Sequence, residues 1–138
     1  MDRAAIFSFL SQHRYAVISS LAKDNRPQSA LIGIAISADL EIIFDTLKSS
    51  RKHPNLISNP QCSLVVGWQN EITVQFEGRA LEPTGHQLNH YRQVYFAAWP
   101  DGPTRLHWPG LTHFVVRPTW LRYSDFNRNP PQTEEINF

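Results

Sequence analysis

Between Thr46 and Lys52 the chain concentrates groups that bind phosphate: Thr46, Lys48, Ser49, Ser50, Arg51 and Lys52. Arginine brings a forked guanidinium and lysine a mobile ammonium, two complementary ways of holding a phosphate. Pro54 is tolerated in the first turn of a helix and hardly anywhere later. The stretch therefore predicts a short helix that opens beside the basic pair and closes at Asn59-Pro60. Free backbone N–H groups at a helix start add to the attraction for an anion. The same residues also suit an ordinary surface helix, with Ser49 and Ser50 as caps and Arg51 and Lys52 in solvent. Motifs this short match often by chance, so the rest of the chain has to decide between the two.

With 138 residues, the chain is long enough for one domain and one core without staples. Thirteen Lys plus Arg against twelve Asp plus Glu give a formal charge of +1, which points away from nucleic acid and from membrane surfaces as partners. A bound anion must then be held locally. The single Cys62 rules out an internal disulfide, and no apolar run has the length of a signal segment or a membrane span. A cytoplasmic protein is the expectation. Eight Phe, four Tyr and four Trp exceed what a compact core of this size obviously needs, and aromatics are enriched in ligand sites and subunit interfaces.

The elements that must carry the phosphate-binding stretch are short strands. Asp2 can cap a first helix in which Ala5, Ile6, Phe9 and Leu10 share an apolar face. Tyr15–Leu21 and Gln28–Ile36 read as a hairpin turned at Lys23–Pro27. In the second strand Ala30, Ile32, Ile34 and Ile36 alternate with Ser29, Leu31, Gly33 and Ala35, a mostly small set that leaves room for something flat. A third strand, Leu40–Thr46, delivers the basic stretch at its end. Gln61–Trp68 and Glu71–Leu81 follow, with Gly78 marking a bulge or sharp bend. Thr84 caps a helix reaching Phe96 or Trp99, broken by Pro100–Pro103. Thr112–Val116 and Trp120–Asp125 are the last strands, and the polar tail from Asn127 is expected to lie loosely on the surface or against a partner chain. The pattern predicts a mainly β fold with a few helices, a six- to seven-stranded antiparallel barrel in one domain over residues 1–126, with 127–138 as a tail.

Several segments together resemble the pyridoxamine 5'-phosphate oxidase-like flavin-binding split-barrel proteins: Ala16–Leu21 with Arg26–Ser29, Phe44–Thr46 with Ser50–Lys52 and Asn59-Pro60, Phe76–Arg79, and Arg117–Phe126. The resemblance covers Tyr15 to Phe126 and implies a split barrel of the FMN-binding type, in which FMN lies between the two subunits of a homodimer. It implies Ser50, Arg51 and Lys52 as phosphate ligands, Thr46 and the Asp45 backbone near the cofactor, and Thr73 as a polar contact from the next strand. A flavin calls for such a charged grip together with a flat apolar slot. The departures point away from pyridoxamine phosphate itself. Where the authentic oxidases carry an Arg and a Lys on the preceding strand, this chain has Ala30, Ile34 and Ala35, and Tyr123–Arg128 lacks the substrate-binding histidine of their last segment.

Other constellations are weaker. His86 and His90 have the spacing of two metal ligands on a helix, without a third ligand nearby, and read as solvent-facing. Cys62 reads as a buried, inert thiol. No Gly-x-Ser-x-Gly elbow supports a hydrolase triad. Arg105, His107 and Trp108 form a cationic and aromatic loop that either packs or reaches over a flavin site. The resulting expectation is an FMN-dependent oxidoreductase acting on a small organic substrate, in which the flavin supplies the redox chemistry and no side chain is named as an acid or base. The alternatives are a non-catalytic flavin or tetrapyrrole (haem) binder, or a deazaflavin-dependent reductase.

Overall fold

A computed structural model describes residues 1–138. Helix α1 (Arg3–Ser11) begins where Asp2 accepts the Ala5 N–H at 2.9 Å, a side-chain cap on an otherwise orphaned donor. Strands β1 (Tyr15–Leu21) and β2 (Pro27–Gly33) pair antiparallel, Tyr15 opposite Gly33 and Leu21 opposite Pro27. The expected second strand does not continue to Ile36 unbroken. It breaks at Ile34 and resumes as β3 (Ala35–Ile36), because the Ile34 carbonyl accepts from the Trp99 indole at 2.9 Å and its N–H donates to Arg14. Leu40, expected to open the next strand, instead closes a tight turn at φ 63° with its side chain sunk in the core. Strand β4 runs Ile42–Leu47, helix α2 Lys52–Ser58, β5 Gln61–Val66 and β6 Ile72–Leu81. Helix α3 (Gly85–Ala98) and a 3-10 turn at Gly102–Arg105 precede β7 (Leu111–Asp125) and β8 (Gln132–Asn137).

All strand pairs are antiparallel, in the order β2-β1-β5-β6-β7-β4-β3, with β8 added on β7. The two ends of this path are the consecutive strands β2 and β3, so the sheet curls on itself into a split barrel. Two sequence expectations are corrected here. The separate strands on either side of Arg117-Pro118 are one strand, β7, which keeps its pairing with β6 across a register shift at Glu77/Gly78. A strand proline is tolerated at such a bulge. The tail is not loose: Gln132–Asn137 pairs with Trp120–Asp125 of its own chain, and Ile136 packs against the core.

The barrel interior holds a cluster of 20 buried residues, among them Ile18, Ile32, Phe44, Val74, Phe76, Phe114 and Leu121, plugged at one end by Ile6 and Leu10 of α1. On the other face of β3, β4 and β7, a smaller cluster of Ala35, Ile43, Tyr91, Tyr95 and Val115 seats α3. Strand alternation thus sends Phe44 and Thr46 one way and Ile43 and Asp45 the other, which fixes what each can do. No helix is long and apolar enough to cross a membrane.

Candidate functional site

The basic stretch forms the turn between β4 and α2. Thr46, last but one in β4, points to the barrel side and is buried; its Oγ1 lies 3.0 Å from Ser50 Oγ and accepts from Lys52 Nζ at 3.4 Å. Arg51 takes the N-cap position with helical backbone and no side-chain cap. The serines therefore do not cap α2, as the surface-helix alternative required; Ser50 faces Thr46 and Lys52 instead. Pro54 sits in the first turn of α2, where the sequence placed it.

Arg51 and Lys52 border a hollow of about 80 Å³, lined also by Ile18, Ser20, Gln28, Ser29 and Ala30. Neither cation makes an ion pair, and neither does Lys48. Burial holds the Lys52 ammonium below its ordinary pKa, because desolvation penalises the charged form. A half-desolvated cation flanked by two hydroxyls and a guanidinium, with no carboxylate, is a donor set short of an anion. A phosphate ester fits it in size and in charge. At Ser20 the hollow adjoins a wider polar groove of about 580 Å³ on the outer face of β1, β5 and β6.

One residue of this region escaped the sequence reading. Buried Asn55, in α2, donates to Ser20 Oγ at 3.1 Å and to Gln28 Oε1 at 3.0 Å, tying the helix to the β1–β2 hairpin. His53, next to Lys52, is paired with Glu82 at 2.8 Å and pins the other side of α2. Replacing Asn55 by Leu should cost about 1–3 kcal/mol, because Ser20 and Gln28 lose their partner in a covered site. Thermal unfolding reads this loss, and an unchanged melting temperature would show that the amide does not hold the helix.

The remaining predicted residues lie elsewhere. The Asp45 carboxylate faces α3 and accepts from Arg105 Nε at 2.9 Å, while Arg105 Nη1 reaches Asp101 at 2.9 Å. Only the Asp45 backbone borders the basic turn. His113, opposite Asp45 on β7, is buried under Tyr95 and Phe96 with its Nε2 unpartnered, and burial pushes its pKa down to about 4. Arg105 is thus a brace, whereas His107 and Trp108 are exposed on the loop that returns to the basic turn through Lys48 N–H to Gly110 O at 2.8 Å. Thr73 lies opposite Ser124, whereas Thr46 lies opposite Thr112. Thr73 also lies three residues from Phe76, which is joined through Leu64 to Ile18 in the lining of the hollow. The Thr73 hydroxyl is buried and unpartnered. Thr46, Ser50, Arg51 and Lys52 meet at one turn, whereas Thr73 sits on β6 and touches none of their side chains by hydrogen bond.

The flat slot expected along the small residues of the second strand is already filled in part. A Cβ on Gly33 would lie 2.7 Å from Trp99 Cζ2, so the flat group against Gly33 is the protein's own indole. Cys62 is buried, and burial pushes its thiol up to about 12. His86 and His90 are exposed on α3.

The family model of pyridoxamine 5'-phosphate oxidase matches residues 3–125. No protein with a curated description matches the chain. Among solved structures, a heme-binding protein of Mycobacterium smegmatis superposes over 99% of this chain at a TM-score of 0.82 and 14% identity. The chain spans only 58% of that protein's length. General stress protein 26 of Bacillus anthracis matches 97% of this chain and 98% of its own, with a TM-score of 0.73 and 20% identity. A pyridoxamine 5'-phosphate oxidase-related, FMN-binding protein of Nostoc punctiforme matches 99% and 92%, with a TM-score of 0.67 and 10% identity. At these identities the structures share the fold.

Proposed function

Because this chain belongs to the pyridoxamine 5'-phosphate oxidase family, we propose that it binds FMN as a homodimer and passes electrons between the flavin and a small organic substrate other than pyridoxamine phosphate. The observation that carries the reading is a phosphate-sized hollow bordered by Arg51 and Lys52, neither with a counter-ion, with the Thr46 and Ser50 hydroxyls hydrogen-bonded beside Lys52. Lys52 and Arg51 hold the phosphate, Thr46 and Ser50 orient it by hydrogen bonds, and Asn55 fixes the helix that presents them. Bound FMN would supply the redox chemistry, and the protein its position and electrostatics.

The second copy is proposed on the surface it would cover. The outer sheet face beside the grip exposes an apolar row, Leu31, Val17 and Val65, aligned across β2, β1 and β5, with Leu31 63% exposed. Contiguous exposed apolar surface of this kind marks interaction sites. Sedimentation at micromolar concentration should show a dimer, and Leu31→Asp should shift it to monomer and weaken FMN uptake. A monomeric wild type would overturn the two-chain site.

The grip reads the phosphate and not the ring, so a deazaflavin phosphate satisfies it equally, and the Mycobacterium smegmatis neighbour binds heme in the same fold. Competition of FMN against a deazaflavin and haem separates these ligands. An electron-transfer enzyme requires in addition that the bound flavin be reduced by a donor and reoxidised with turnover. Flavin that stays inert to every donor would leave a carrier.

A further inference from the structure

A second concavity, of about 520 Å³, lies between the end of α1, β3 and α3 and shares no residue with the phosphate grip. Its walls are mostly apolar, Ile34, Ile36, Val94, Ala98 and Trp99, with Ser11 and His13 at the α1 end. Trp99 is held rigidly, since its indole N–H donates to Ile34 O at 2.9 Å, its ring rests on Gly33, and Tyr15 meets it edge-on at 5.7 Å. At the mouth, the Arg14 guanidinium lies over the Trp99 ring, 4.0 Å from its centroid. Arg14 makes no ion pair, and no carboxylate lines the groove.

A guanidinium held over an indole face by its carbon centre, with no ion-pair partner, has N–H groups to spare, and their fork matches the two oxygens of a carboxylate. The indole face lowers the cost of the unpaired charge. The volume suits a small ligand. Arg14 is the one permanent cation of the lining, His13 being engaged through Nδ1 with the Phe9 carbonyl, so it balances one negative charge, whereas a phosphate dianion would leave a charge uncompensated against the apolar wall. We propose that this groove binds a small carboxylic acid with an aliphatic or aromatic body, its carboxylate on Arg14 and its body against Trp99, Ile36 and Val94. The site is independent of the flavin reading, since no lining residue is common to the two.

The test titrates the full-length protein with octanoate and, separately, with 1-octanol, following the Trp99 indole N–H resonance, identified by its loss in Trp99→Phe. Octanoate should shift it saturably and bind at least about tenfold more tightly than the alcohol, the weight of one charge-assisted hydrogen bond. Arg14→Gln should erase that preference while leaving the melting temperature and FMN binding unchanged. Ala98→Trp, which fills the groove from the exposed side of α3 with Arg14 intact, should abolish binding of both. Equal affinity for acid and alcohol, no saturable shift with octanoate, or a preference that survives Arg14→Gln would each overturn the proposal.

Discussion

Replacing Arg51 and Lys52 together by alanine is expected to weaken FMN binding by about 3–6 kcal/mol, two to four orders of magnitude, at roughly 1.5–3 kcal/mol for each charged hydrogen bond. Riboflavin, which has the ring without the phosphate, should bind the variant and the parent alike. The fold should not suffer, because neither cation has an ion-pair partner to leave behind and Lys52 is half-buried at a cost. The sign of that cost gives a second readout. The Lys52 pKa is lowered from 10.5 in the folded chain, so between the two values the unfolded chain binds more protons and apoprotein stability rises with pH. That gain should vanish in Lys52→Met. An equal loss of FMN and riboflavin would place the effect on the ring site and remove the phosphate assignment.

Gly78→Ala should be among the most damaging single substitutions. A Cβ there would lie 2.4 Å from the Arg117 carbonyl oxygen and 2.8 Å from Val116 Cγ1. The obstacle is backbone, so no rotamer change relieves it. The position is the register shift at Glu77/Gly78, where β6 passes Pro118 and Thr119 Oγ1 donates to the Glu77 carbonyl at 3.2 Å. Overpacking costs about 1–3 kcal/mol, and a clash with the chain itself belongs at the upper end. The melting temperature should fall by roughly 10 °C for a domain of this size. An unchanged melting curve would mean that the bulge relaxes freely and does not set the curl of the sheet.

The clustering of Thr46, Ser50 and Lys52 was legible because it is local: they lie within two turns of chain, and a strand running into a proline-marked helix brings them together whatever the rest of the fold does. Gly78 was legible for the same reason. What sequence hid was pairing at a distance. Asp45 meets Arg105 sixty residues on, and nothing near either residue announces it. The small face of the second strand reads as room for a flat ligand, yet its occupant at Gly33 is Trp99, which bonds to Ile34 from sixty-five residues away. Asn55 carries no local signal, since its partners Ser20 and Gln28 are brought to it only by closure of the barrel. In β8 the alternation of Gln132, Glu134 and Ile136 is masked by charge. Its pairing with β7 shows once Arg122 Nε meets Glu135 Oε1 at 2.9 Å and Ile136 reaches the core. Pro118 misled in the opposite sense, because a proline at a bulge does not end a strand.

In the proposed function the β4–α2 turn is a phosphate grip for a flavin. The most direct test of that reading is a titration of the purified protein with FMN, preceded by its visible absorption spectrum and followed by the same titration with riboflavin. The account predicts two flavin bands or tight stoichiometric uptake of FMN, with riboflavin bound orders of magnitude more weakly. A colourless protein indifferent to FMN, or one that binds FMN and riboflavin equally, would contradict it.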